Sequence, residues 1–219
     1  MGYLHFKRRG SGAGKPLLRF TLLAIGVVTA SFVMQPEAAH AKSRKSVTLE
    51  LDRYVKAGVR REALEAAFKA YNARRDKVKR PYLTLIDYKL HSSKPRMFVI
   101  DLTNGKMKAL HVAHGKGSDP DHDGFADRFS NIPESKMSSL GAFITANSYH
   151  GKHGLSLRLI GLEETNNLAL ARAIVMHGAS YVSSKLGVGR SWGCPSIERR
   201  FVKEWIPKLA GGAFLYIAS

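Results

Sequence analysis

Between residues 59 and 75 apolar side chains return at three- and four-residue intervals. Leu64, Ala67, Phe68 and Tyr71 fall on one face, and arginine and lysine fill the other. That spacing predicts an amphipathic helix from about Val59 to Arg75. Pro81 follows a basic run and bars its continuation. Beyond it the runs become short, apolar and partly β-branched. Tyr82–Ile86, Met97–Leu102, Lys106–His114, Gly141–Ala146, Leu155–Ile160, Ile174–Met176 and Ala213–Ile217 read as strands. Asn104-Gly105 between the second and third is a hairpin signal, because both residue types tolerate positive φ. Glu163–Arg172 reads as a short helix. Many closely spaced strands predict a mainly β domain, a sandwich or partly closed barrel with short helices and an N-terminal helix.

The start of the chain has a different pattern. Lys7, Arg8, Arg9, Lys15 and Arg19 have no acid among them, Phe20–Met34 is uncharged and mostly apolar, and Ala39-His40-Ala41 offers small residues at alternate positions. A basic start, a short apolar run and an A-x-A site describe a secretory signal peptide over residues 1–41. The expected division is then a signal peptide (1–41), an N-terminal helical segment (42–80) and a catalytic domain (81–219).

Charge sharpens the picture. Thirty-five basic against 17 acidic residues give a formal +18, and removal of the leader leaves the chain strongly basic. Such an exported protein is expected at the periplasm or cell envelope, in contact with anionic wall or membrane surfaces. Nucleic acid is not an expected partner, since no nucleic-acid-binding signature accompanies the charge. The protein is expected to act as a monomer.

There is one cysteine, Cys194, so an intramolecular disulfide is excluded. It is either a small core residue or a reactive thiol. Its neighbours, Gly189–Pro195 (GRSWGCP), suit a structured loop better than a core strand. Gly193 permits close backbone approach. A thiol needs a neighbouring base or cation to become a nucleophile. His177, at the end of an apolar run and followed by Gly178, is the candidate base. Arg190 is a candidate to lower the thiol pKa, and N–H groups around Ser191, Trp192, Gly193 and Cys194 are candidates for an oxyanion hole.

These residues carry a resemblance. His177-Gly178 followed by Ser191-x-Gly193-Cys194 is similar to the signature of the murein L,D-transpeptidase catalytic domain family (YkuD-like). Ser138–Thr145 (SSLGAFIT), Tyr149–Arg158 (YHGKHGLSLR), Arg172–Ala179 (RAIVMHGA), Met97–Leu102 and Phe129–Asn131 resemble it too, so that the likeness runs from about Pro81 to Ser219. The resemblance implies a cleft with Cys194 as nucleophile and His177 as base, oriented by the carbonyl of Gly178. It implies attack on peptidoglycan stem peptides, at the bond between a third-position diamino acid and a terminal D-residue. A second stem peptide then accepts the acyl group, with no cofactor. Water as acceptor gives the alternative, an L,D-carboxypeptidase or wall-amide hydrolase. A non-catalytic wall-binding domain is the remaining alternative. One departure stands out: where many members carry an arginine two residues after the cysteine, this chain has Ser196, so Arg190 or Arg158 is left to hold a substrate carboxylate.

Further residues invite a role. Asp119, Asp121, Asp123 and Asp127, with Gly124, resemble the first part of a calcium loop. Ser130, however, stands where a bidentate glutamate is expected, and a solvated acidic loop is the other reading. His150 and His153 lack zinc-site spacing. Through the resemblance, Tyr149 and His153 are placed beside the cleft as substrate contacts, or as parts of a surface turn. Trp192 either walls the cleft or packs.

Overall fold

The computed structural model describes residues 51–219 except Leu186. The element order is α1 (residues 51–56), α2 (Arg61–Asn72), a 3-10 turn (Arg75–Lys77), β1 (Tyr82–Asp87), β2 (Met97–Asp101), β3 (Met107–Leu110), β4 (Val112–Ala113), β5 (Gly141–Gly151), β6 (Gly154–Gly161), β7 (Val175–Ala179), β8 (Val182–Ser183), β9 (Gly187–Val188), β10 (Ser196–Glu198), α3 (Arg199–Leu209) and β11 (Phe214–Ala218). The expected signal peptide lies outside the described residues. Among the described residues no helix is long and apolar enough to cross a membrane.

Alternate residues of the early strands are buried in two different cores, which is why these strands read as unbroken apolar runs. Leu83 and Leu85 of β1, Phe98 and Ile100 of β2 and Phe214 of β11 pack against Ala63, Leu64 and Ala67 of α2. Ile86, Met97, Val99, Leu215 and Ile217 point the other way, into a cluster with Phe143, Leu157, Leu159, Met176 and Ile197. Helix α3 closes that cluster with Val202, Ile206 and Leu209. Each such fully buried side chain contributes about 1.5–3 kcal/mol.

Nine strands form one sheet in the order β3-β2-β1-β11-β5-β6-β7-β10-β4, and β8 pairs with β9 separately. Strands β3 and β4 stand at opposite ends of the sheet yet are separated in sequence only by His111. The sheet therefore curls until its edges nearly meet, giving a partly closed barrel. Arg96, fully buried, holds the crossing. Its guanidinium donates to the carbonyls of Val112 (3.0 Å) and Leu90 (2.9 Å) and to His114 Nδ1 (2.7 Å).

Three local expectations are corrected. The β2–β3 connection is not a two-residue turn: only Gly105 takes positive φ (67°), while the Asp101 carboxylate accepts from the N–H of Thr103 and the Nδ2 of Asn104. The segment 163–173 forms consecutive turns rather than a helix. Asn166 turns its side chain inward, donating to the carbonyls of Leu140 and Ala142 and accepting the N–H of Glu163, and such side-chain bonds compete with the helical ladder. Conversely, α3 forms where no helix is expected. Its Pro207 sits in the last turn, with Val202, Trp205, Ile206 and Leu209 buried on one face.

Candidate active site

Strand β7 lies between β6 and β10, and the register decides the site. His177 pairs with Ser156 on one side and with Ser196 on the other. Both neighbours are small, which leaves room for the ring. Helix α3 crosses just behind. A Cβ on Gly178 would come 2.6 Å from Val202 Cγ2, so the residue after the histidine has to be glycine for this packing.

The imidazole of His177 is 2% exposed and held at both nitrogens. Nδ1 lies 3.0 Å from the carbonyl oxygen of Gly178. A carbonyl only accepts, so in the neutral ring Nδ1 carries the hydrogen and Nε2 the lone pair. Nε2 lies 2.9 Å from Ser196 Oγ, which therefore donates. Ser196 Oγ lies 3.1 Å from Tyr181 Oη. His153 stacks on the ring at 4.2 Å between centroids and 20° between planes. Burial lowers the pKa of His177. The Gly178 carbonyl opposes this, and the nearby His153 and Lys152 add to it.

Cys194 sits two residues before Ser196, beside Val175, which is two residues before His177. The N–H of Val175 donates to Sγ at 3.5 Å, and Sγ faces the carbonyl of Ala173 at 3.8 Å. Cys194 and His177 thus lie along one seam of the sheet, and among the described residues no hydrogen bond joins Sγ to the ring. Burial raises the thiol pKa; the Val175 N–H, Arg172 and Lys152 oppose the rise.

The loop before the cysteine is wedged in place. Ser191 N–H donates to the His114 carbonyl at 2.8 Å, Lys116 N–H to the Ser191 carbonyl at 2.8 Å, and Ser138 Oγ to the Gly193 carbonyl at 3.2 Å. Gly193 has φ 115°, and a Cβ there would meet the Met137 carbonyl at 2.7 Å. Both facts demand glycine. Ser191 Oγ accepts the N–H of Gly193 at 3.1 Å. Among the described residues the N–H groups of Trp192 and Cys194 make no backbone hydrogen bond. Trp192 is 66% exposed, and the ammonium groups of Lys116 and Lys136 lie 5.4 and 4.9 Å from its ring.

Arg190 donates to the carbonyl of Asp119, and Arg158 lies over the Tyr149 ring at 3.9 Å. The guanidinium that acts on the thiol is that of Arg172, a residue not singled out from the sequence. It also binds the 130–139 segment through the carbonyls of Ser130 (2.7 Å) and Met137 (2.8 Å). Ser196 and Tyr181 were likewise not singled out as partners of the histidine. The two-residue spacing of Cys194 and Ser196 is the one signal for them, since an extended chain places such residues on one face.

Asp119, Asp121 and Asp123 bring carboxylate oxygens within 4.8 Å of one another, and Asp127 is not part of that group. The buried member, Asp119, is already engaged. It accepts from His114 Nε2 at 3.0 Å and from the N–H groups of Asp123 and Gly124 at 3.1 and 3.2 Å.

Comparison with solved structures returns L,D-transpeptidases at low identity and low TM-score. One from Mycobacterium smegmatis is 10% identical over 64% of this chain and 59% of its own, with a TM-score of 0.41. One from Mycobacterium tuberculosis is 10% identical over 64% and 58%, with a TM-score of 0.42. The helical cell shape determining protein Pgp2 of Campylobacter jejuni is 11% identical over 64% and 47%, with a TM-score of 0.39. The chain spans less than two thirds of the length of each. No curated protein matches it by sequence. The family model of the L,D-transpeptidase catalytic domain matches residues 55–218, most of the chain, beginning within α1 and ending in β11. On that match, this chain belongs to the L,D-transpeptidase catalytic domain family.

Proposed function

We propose that this protein is an exported L,D-transpeptidase that remodels peptidoglycan stem peptides through an acyl-enzyme on Cys194, with His177 as the proton carrier. The observation that carries this reading is the state of His177. Its Nδ1–H is committed to the Gly178 carbonyl, so the basic nitrogen is Nε2, on the strand that runs beside the cysteine loop. Burial favours the neutral form of both groups.

In the first half-reaction Ser196 Oγ–H turns from Nε2 towards Tyr181 Oη, and the Sγ–H proton passes to the freed Nε2. The thiolate attacks the carbonyl joining the third-position diamino acid to the terminal D-residue. The N–H groups of Trp192 and Cys194 stabilise the oxyanion. Collapse breaks the C–N bond, and the leaving amine takes the proton from Nε2. In the second half-reaction the side-chain amine of another stem peptide gives a proton to Nε2 and attacks the thioester. Sγ leaves as thiolate and recovers the proton. Export follows from the leader over residues 1–41. The chain beyond that leader stays strongly basic, which suits retention on anionic wall material.

The test is incubation of the mature protein with purified stem tetrapeptide, followed by mass analysis of protein and products. The expected result is an acyl adduct on Cys194 and a cross-linked peptide, both lost in Cys194→Ala. Wild-type cross-linking by Cys194→Ala overturns the reading. Shortened stems without cross-links assign the same chemistry to water as acceptor.

A further inference from the structure

The two hydroxyls beyond His177 form a chain whose direction can reverse. At rest the sequence of donors is Tyr181 Oη–H to Ser196 Oγ, Ser196 Oγ–H to His177 Nε2, and His177 Nδ1–H to the Gly178 carbonyl, over 3.1, 2.9 and 3.0 Å. Each step is forced by the one before it, starting from the carbonyl that can only accept. Once His177 is protonated, Nε2 carries a hydrogen and needs an acceptor. A hydroxyl serves as donor or acceptor, whereas a lysine, an arginine or a carbonyl serves in only one sense.

We propose that Ser196, backed by Tyr181, is a positioning residue for His177 that satisfies Nε2 in both protonation states and favours the imidazolium. This rests on the Cys194–His177 reading above. In the charged state Nε2–H donates to Ser196 Oγ, and Ser196 Oγ–H turns to donate to Tyr181 Oη. The proton count is unchanged within the hydroxyl pair, since both hydroxyls only rotate. Hydrogen bonds to an ionised partner are roughly twice as strong as neutral ones, so the chain stabilises the imidazolium more than the neutral ring. Ser196 is fully buried, so water does not replace its hydroxyl without rearrangement. The register makes the arrangement inevitable once β7 and β10 pair, because Ser196 and His177 are direct cross-strand partners. The other titratable groups facing the ring are His153 and Lys152, which both oppose its protonation, and Cys194 on the same seam. The hydroxyl chain is the counterweight to them.

The test reads the thiol directly and needs no wall substrate. The rate of Cys194 alkylation by iodoacetamide is measured against pH for the mature protein, with histidine NMR following the His177 titration. Ser196→Ala is expected to lower the His177 midpoint by roughly half to one pH unit, and neutral-pH alkylation by about three- to tenfold. Tyr181→Phe, which removes one partly exposed hydroxyl, is expected to shift it the same way by less. Ser196→Thr, which keeps the hydroxyl but adds a methyl at a fully buried position, is expected to shift the midpoint less than Ser196→Ala does. A folded Ser196→Ala whose midpoint is unchanged or raised overturns the proposal. Should Ser196→Ala not fold, an unchanged midpoint in Tyr181→Phe overturns it. His177→Ala separates the two levels: if alkylation is insensitive to it, the Cys–His pairing itself fails, whereas sensitivity to His177 but not to Ser196 or Tyr181 removes only the hydroxyl chain.

Discussion

Two histidines are almost equally buried, and their hydrogen-bond partners are opposite in kind. His114 is 1% exposed and His177 2%. Burial lowers the pKa of both. His114 is clamped between partners that cannot change sense. Arg96 only donates, so Nδ1 accepts, and Nε2–H donates to the Asp119 carboxylate. Protonation would place an N–H against a guanidinium, and the pKa falls to about 4. His177 faces a carbonyl at one nitrogen and a reversible hydroxyl at the other. Inaccessibility alone therefore does not distinguish the two rings; the chemistry of their partners does. The carbonyl of the clamped histidine in turn holds Ser191, three residues before Cys194.

Exchanging the two roles is the most forceful way to break this comparison. His177→Ala is expected to lower peptide transfer by about 10²–10⁴-fold, the range for loss of a general acid–base group, while lowering the urea midpoint by less than His114→Ala does. His114→Ala is expected to do the reverse in kind: it strands Arg96 and Asp119 in the interior and lowers unfolding free energy by about 3–5 kcal/mol in denaturant titration. Equal activity losses with equal stability losses would erase the distinction.

A gentler way uses pH. The folded pKa of His114, about 4, lies below its unfolded value of 6.5. Between those values the unfolded chain binds more protons. Stability is thus full above pH 6.5 and falls as the pH drops towards 4, by about 3 kcal/mol in all. Unfolding free energies measured across this window are expected to show the loss. His114→Gln, which keeps an acceptor for Arg96 and a donor for Asp119, is expected to flatten it. A variant as acid-sensitive as wild type would move the effect elsewhere.

The smallest expected effect sharpens the other side. His153 stacks on His177 and disfavours its charge. His153→Ala is expected to raise the His177 midpoint by less than one pH unit, read from histidine NMR, with alkylation of Cys194 changed by only about threefold or less. A large downward shift would mean that the stacked ring supports the imidazolium instead.

Much of the fold was legible because it depends on local periodicity. Leu83, Phe98 and Leu215 belong to short apolar runs, and doubly buried strands have to read that way. The helix through Leu64 and Ala67 shows in its spacing, and structure places it at Arg61–Asn72. The turns over 163–173 were misread because the inward side chain of Asn166 overrides helical spacing only when β5 is there to receive it. Helix α3 escaped notice because its four buried side chains are scattered among charges and a proline, and only the β7–β10 surface beneath them makes them a face.

The candidate chemistry divides in the same way. Chain order alone set a lone thiol in a glycine-bracketed loop and a histidine followed by glycine, since these are covalent facts about residue type and spacing. Pairing of β7 with β10 was needed to bring Ser196 against Nε2, to seat Arg172 near the thiol from a remote turn, and to assign His114 and His177 different fates. Those outcomes depend on which groups meet across strands distant in sequence, and hydrogen-bond sense and burial do not exist until such strands have met.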